Sequence, residues 1–388
     1  MNDKNKFQTG NVIAISFAHF VHDVYSSFLA PLLPLLIEKF SISLSFASFL
    51  TIIQRLPSLF NPLVGYAADK LPIRYLLIVA PAITVTCMSL IGVAPHIIVL
   101  IILLLTSGIG VSLFHVPSPV MIKRVSGNRI GKGMSFYMLG GEIARSVGPL
   151  YVLGAVSLWG LQGTYRLLPF GLIASALLFF KFRKIPISDA FKNKQKETGA
   201  IATVKKHFMF FVSLGGIFFF TSLVKSSLTT FLPIFMISKG ETLWYGGIAL
   251  SVIQFSGAVG TLFSGSISDK IGRKFTLLIM GFSTPILMML FIFISDTIFV
   301  FPLLILIGFI MFTTTPVLLA EVNSIKTEHP ALINGIFMTI NFLVSASSLL
   351  IIGSLGDLFG LETSYIVTAT VSILSIPFII KLPSNRIG

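Results

Sequence analysis

From Asn11 to Leu382 the chain is a train of apolar runs, most of them 20 residues or longer, broken by short polar links. Runs of that length leave few folds open. A membrane β-strand needs only about 10 residues and alternates in polarity. In hydrocarbon every backbone N–H and C=O must be satisfied internally, so each run is expected to be a helix. The expected spans lie near 11–37, 45–68, 73–93, 96–121, 133–158 and 164–182, then 208–237, 243–267, 274–295, 298–321, 331–355 and 362–382. The first is too long for the core of a signal peptide, and no small-residue cleavage site follows it, so it reads as a retained span. Only 11% of the 388 residues are charged and 54% are hydrophobic, whereas soluble domains carry about 25% charged residues. The fold class is an all-α integral membrane protein with twelve transmembrane helices. Cys87, the only cysteine, excludes an intramolecular disulfide and reads as a small buried hydrophobe.

The halves of the chain repeat. Gly65-Tyr-Ala-Ala-Asp69-Lys70-Leu-Pro72-Ile-Arg74 recurs in outline as Gly265-Ser-Ile-Ser-Asp269-Lys270-Ile-Gly272-Arg273-Lys274, 200 residues later. Gln54 and Gln254 share that offset, as do Gly108 and Gly308, and Pro119-Val120 and Pro316-Val317 nearly do. Coincidences at one offset point to duplication of a six-helix bundle. The expected domains are residues 1–182 and 208–388, pseudo-symmetric bundles joined by a polar cytoplasmic linker at 183–207 that carries Lys192, Lys194, Lys196, Lys205 and Lys206.

Basic residues set the expected topology. With the N-terminus inside, 22 of the 28 lysines and arginines fall in cytoplasmic segments. Lys39, Arg166 and Lys239 fall outside, while Arg55, Arg145 and Lys225 lie within spans. Such asymmetry places both termini in the cytoplasm. It also accounts for the net charge of +14 without nucleic acid, since the basic residues are spread over inner loops near anionic headgroups.

The repeated loop resembles the signature loop of the major facilitator superfamily, found between spans two and three and again between spans eight and nine. Gly65, Asp69, Lys70 and Arg74 form one copy, with Pro72 where the pattern has glycine, and Gly265, Asp269, Lys270 and Arg273 form the fuller one. Glycine would let helices approach, the aspartate would cap a helix N-terminus, and the basic residues would pin the loop inside. Both loops are expected to act as conformational latches.

Within that superfamily the N-terminal half resembles the fosmidomycin-resistance-type efflux proteins. The residues that carry the likeness are His19-x-x-x-Asp23 with Tyr25, Pro31-Leu-Leu-Pro34, Gly110-x-x-x-Phe114-His115-x-Pro117-Ser118, Gly140-Gly141 and Gly148-Pro149, mainly within residues 19–150. The resemblance implies proton-driven export of small anionic or amphipathic drugs across a bacterial inner membrane. Two features depart from drug exporters: no arginine stands near Leu104 in span four, and the span-five antiporter pattern is kept only at Gly148-Pro149.

Ionisable groups at membrane depth are costly and so are functional candidates. His19 and Asp23 are one helical turn apart, with His22 beside that face. Asp23 is the expected proton carrier, assisted by His19 and His22, with an ion pair to Arg55 as the structural alternative. Glu142, three residues before Arg145, either neutralises it or joins the proton pathway. Arg55, Arg145 and Lys225 are expected to contact an anionic substrate, with His115, Tyr25, Gln54, Gln254 and Asn341 as polar contacts in the cleft; polar packing between helices competes with each of these readings. Three cationic against two acidic groups in the spans favours an anionic or zwitterionic compound with an apolar portion.

The expected function is proton-coupled antiport of a small anionic or amphipathic compound by alternating access, from a chain acting as a monomer. Proton-coupled import of a small organic metabolite is the alternative. A divalent-metal transporter using His19, His22, Asp23 and His115 ranks lower, because nearby cationic side chains would repel the ion. No resident metal or cofactor is expected. An enzyme is not expected either: no H-E-x-x-H, nucleophile elbow or phosphate-binding loop occurs.

Overall fold

The computed structural model describes residues 7–61, 64, 73–182, 204–295, 297, 299–325 and 330–382. They are helical throughout, with no strand among the described residues. The first half holds α1 (Thr9–Ser26), α2 (Leu29–Phe40), α3 (Leu44–Arg55), α4 (Ile73–Leu90), α5 (Ile97–His115), α6 (Ser118–Val125), α7 (Ile130–Trp159) and α8 (Leu168–Phe182). The second holds α9 (Phe208–Ser226), α10 (Leu232–Ser238), α11 (Leu243–Ile271), α12 (Arg273–Ile294), α13 (Val300–Asn323), α14 (Pro330–Phe359), α15 (Leu361–Ser372) and α16 (Ser375–Ile380).

Nine helices among the described residues are long and apolar enough to cross a membrane. The remaining expected spans correspond to the shorter apolar helices at Leu44–Phe60 and Ile78–Val93 and to the 30-residue α7, which carries Lys132, Glu142 and Arg145. Apolar stripes face outward at helical spacing: Phe170, Ile173, Leu177 and Phe180 on α8, and Phe282, Ile286, Leu290 and Phe293 on α12. Such surfaces are stable against lipid tails and not against water.

Several spans are interrupted where proline removes a backbone donor. Pro31 lacks an N–H for the carbonyl of Ser27, and the first span breaks between Ser26 and Leu29. Pro117 and Pro119 accompany the break between α5 and α6. Pro233 follows a π-helical segment at Ser227–Phe231 in the seventh span.

The chain divides into two compact units. The first comprises Met1–Ile42 and Leu50–Lys192, and the second Ser43–Phe49 and Asn193–Gly388. In the first, α1 packs along α7 and against α4, while α4 packs on α5. Glycines set these approaches. A Cβ at Gly140 would strike the carbonyl of Ser16, and one at Gly148 would strike Ser27 and the carbonyl of Val24. The repeated Gly108 and Gly308 likewise bring α5 onto the carbonyl of Gln54 and α13 onto that of Ile253. In the second unit α11 lies along α13, and α9 packs on α14. Ser43–Phe49 joins that unit through Asp357, whose carboxylate accepts from the N–H groups of Leu44 and Ser45 at 2.7 and 2.9 Å.

The second signature loop corrects two expectations. Asp269 does not cap a helix. It is exposed in the last turn of α11, which continues to Ile271, and Gly272, with φ 90°, makes the turn into α12 alone. A one-residue turn leaves Asp269 on the wrong side to reach the new N-terminus. Gly265 is not a close approach either, because a Cβ there would meet nothing within 4 Å. Gly65, Asp69 and Lys70 lie outside the described residues, Arg74 is placed by its backbone at the start of α4, and most of the expected linker, 183–203, also lies outside.

Candidate functional site

The first unit gathers three histidines around one carboxylate. Asp23, on the last turns of α1, is buried together with His19 and His22. Its Oδ2 lies 3.3 Å from His19 Nε2. Its Oδ1 lies 3.0 Å from His22 Nδ1 and 3.1 Å from His115 Nε2, the latter reaching in from the end of α5. His115 thus completes the cluster, with a third of its side chain exposed. Asp23 makes its ion-pairing contacts with histidines, and no ion pair to Arg55 occurs.

Neighbours fix the rings. His19 Nδ1 sits 2.7 Å from the backbone carbonyl of Tyr137 on α7, and the two rings stack with centroids 4.0 Å apart. A carbonyl only accepts, so Nδ1 carries the hydrogen and the neutral ring presents a bare Nε2. That atom is buried and without a hydrogen-bond partner. His22 stacks on Phe114 and sets Nε2 3.1 Å from the hydroxyl of Thr84. The Tyr137 hydroxyl lies 2.6 Å from Ser118 Oγ and 3.5 Å from His115 Nδ1. Gly141 makes the arrangement possible, since a Cβ there would occupy the place of the His19 ring.

His22 and His115 can each donate to Oδ1 of Asp23 while their other nitrogens accept from hydroxyls. The facing pair His19 Nε2 and Asp23 Oδ2 then offers two lone pairs and no hydrogen. Such a gap favours a cation.

The other expected residues take separate positions. Glu142, buried on α7, forms an ion pair with Arg145 on the same helix, and the Nε of Arg145 is buried without a partner. Arg55 ends α3, exposed and within electrostatic range of Arg145. Gln54 donates to the carbonyl of Ser26 at 3.0 Å. Tyr25 is buried and spends its hydroxyl on the carbonyl of Leu167 at 2.7 Å. In the second unit Lys225 lies over the Phe312 ring, 4.8 Å from its centroid, just before the π-helical segment. Gln254 is half-buried on α11, and Asn341 on α14 accepts from Ser345 at 3.4 Å.

Some participants were invisible in the sequence. Tyr137 and Thr84 belong to other helices and carry no motif, while Phe114 and Ser118 stand in the span-four resemblance without a role assigned to them. Glu321 was left out of the charge balance of the spans. It is buried at the end of α13, 3.1 Å from Arg273, which also donates to the carbonyl of Ala320 at 3.1 Å. A buried acid at a span terminus looks in sequence like a loop residue.

A family model described as Major Facilitator Superfamily matches residues 15–348. The chain belongs to the Major Facilitator Superfamily. It is therefore a multi-pass membrane protein and a secondary transporter of small molecules, not an enzyme. It is 25% identical over 389 residues to the fosmidomycin resistance protein of Escherichia coli (strain K12), covering 99% of this chain and 95% of that one. The likeness to that group thus extends beyond residues 19–150 to nearly the whole chain. It is 22% identical over 282 residues to the multi-drug resistance efflux pump PmrA of Streptococcus pneumoniae, covering 71% of each. Among solved structures, the nucleoside transporter NupG superposes with a TM-score of 0.75 at 16% identity, covering 97% of this chain and all of that one. The D-xylose-proton symporter gives 0.75 at 15% identity, covering 98% and 99%. These two likenesses concern the fold of this superfamily member.

Proposed function

We propose that this transporter is a proton-coupled exporter of small anionic or amphipathic compounds. One observation carries the reading: a single buried carboxylate, Asp23, held among three imidazoles, with the bare Nε2 of His19 facing its Oδ2 at 3.3 Å. A proton entering that gap converts two opposed lone pairs into a charge-assisted hydrogen bond. Buried acid and histidine groups in membrane transporters serve as proton relays. His115, partly exposed, is the exchange point, and His22 holds the other carboxylate oxygen.

Arg55 provides positive charge in the first unit, where Arg145 is paired with Glu142, and Lys225 provides it in the second, which supports an anionic substrate. The fosmidomycin resistance protein and the efflux pump PmrA are named for drug resistance, which supports export over import. The basic-residue pattern supports both termini in the cytoplasm, and a bacterial inner membrane belongs to the same reading. The protein works as a monomer by alternating access, with residues 1–182 and 208–388 as the two bundles.

The test is reconstitution of the purified protein with an internal pH-sensitive dye, an imposed proton gradient and candidate anionic drugs. Proton flux dependent on drug, and lost in Asp23→Asn, is the expected result. Flux that survives in Asp23→Asn removes Asp23 from the mechanism, and drug movement without proton flux removes proton coupling.

A further inference from the structure

The lone pairs that can take a proton also match the ligand sphere of a transition metal. We infer that His19 Nε2, the Asp23 carboxylate and His115 Nε2 form a three-ligand site for a borderline divalent cation such as Zn2+ or Co2+. Their ligating atoms all lie within 4.8 Å of one another. Nitrogen and oxygen ligands bind zinc at about 2.0–2.2 Å, so adjacent ligands of a tetrahedral ion sit about 3.3 Å apart. The His19–Asp23 and His115–Asp23 separations are 3.3 and 3.1 Å. These contacts use different carboxylate oxygens, Oδ2 and Oδ1, so an ion held by one of them also draws in the histidine that faces the other, from no more than 4.8 Å.

The surroundings have the character of an outer shell. A metal-bound histidine typically donates its second ring N–H to a carbonyl, carboxylate or water, which fixes its tautomer and orientation. His19 does this to the Tyr137 carbonyl at 2.7 Å. For His115 Nε2 to bind an ion its ring hydrogen stands on Nδ1, which faces the Tyr137 hydroxyl oxygen at 3.5 Å, and His22 holds Asp23 Oδ1 at 3.0 Å. The Nε2 of His19, in a side chain 4% exposed, has no hydrogen-bond partner and points at the carboxylate. The objection from nearby cations is weakened by Glu142, which pairs with Arg145. The partial exposure of His115 supplies an entry path. Imidazole with carboxylate selects zinc, cobalt or nickel over calcium and magnesium, which prefer all-oxygen sites.

If Asp23 carries the coupling proton, an ion here would also compete with it and inhibit transport. That consequence rests on the proposed function, whereas binding does not. The test is therefore optical. Protein purified without a histidine tag and stripped with chelator is titrated with Co2+, whose visible d–d bands report coordination directly. One equivalent of tetrahedral-type absorption is expected, displaced by Zn2+, abolished by His115→Gln, and retained in His96→Gln, a change at an exposed histidine elsewhere. His115→Gln alters a partly exposed ring; its gel-filtration and circular-dichroism profiles serve as the folding control, and His19→Gln is the second variant. Absent Co2+ bands, or bands that persist in both His115→Gln and His19→Gln, overturn the site even where proton flux is intact. Co2+ binding without any proton flux would instead uphold the site and count against the proton-coupled reading.

Discussion

The Nδ1 of His19 lies 2.7 Å from the carbonyl oxygen of Tyr137, a residue 118 positions away on another helix. That bond determines which nitrogen of His19 faces Asp23, and so what the buried carboxylate can bind. The imidazole also stacks on the Tyr137 ring, so it is held at both its edge and its face.

The glycine behind this ring gives a sharp test. Gly141→Ala would place a methyl group inside the His19 ring, and overpacking of this kind costs about 1–3 kcal/mol. Gly154→Ala, on the same helix with nothing within 4 Å, should instead gain up to about 1 kcal/mol in helix propensity. Thermal unfolding in detergent compares the two. Equal melting temperatures would show that the ring is not wedged against α7.

Glu142 and Arg145 should behave as a coupled pair. In a double-mutant cycle of Glu142→Gln and Arg145→Gln, the coupling is expected at about 1 kcal/mol, modest because Arg145 is 40% exposed. Unfolding free energies of the four proteins measure it, and additive effects would show that the ion pair contributes nothing.

Arg273 and Glu321 should contribute more. Glu321 is buried, and its removal leaves a largely covered guanidinium with only the Ala320 carbonyl. Glu321→Ala is expected to cost about 2–3 kcal/mol, below the usual range for a fully buried pair because Arg273 keeps some exposure. Arg273→Ala combined with Glu321→Ala should recover part of the loss. A double variant as unstable as the sum of the singles would exclude the ion pair as the cause.

The latch proposal now rests on an exposed aspartate rather than a helix cap. Asp269→Asn should lower maximal transport several-fold while leaving substrate affinity within about twofold, because the change affects conformational balance and not the binding residues. Vesicle transport across a range of substrate concentrations separates the two quantities. An unchanged maximal rate with altered affinity would place Asp269 in substrate binding instead.

Run length, charge asymmetry and the 200-residue repeat made the helical membrane fold legible in the sequence, because hydrocarbon enforces helix wherever apolar length suffices. The breaks at Pro31 and Pro117 follow the same local logic. Half of the Asp23 cluster was equally legible: His19, His22 and Asp23 lie within five residues, where helix geometry alone brings side chains together. His115, Thr84 and Tyr137 come from other helices, and their approach depends on the rotation and register of whole helices, packed through Gly140, Gly141 and Gly148 where α7 meets α1 and through Gly110 where α5 meets α4.

The signature loop shows the limit from the other side. Its residues identified a family, yet Asp269 was misplaced as a cap because the extent of α11 depends on where one glycine turns the chain. Glu321 went unnoticed because the burial of a span terminus is decided by its neighbours. The sequence alone determined the kind of helices and the first half of the site, since both follow from short-range periodicity and the polarity of the solvent. Only the tertiary structure decided which side chains close around Asp23, because close packing couples residues that no spacing rule connects.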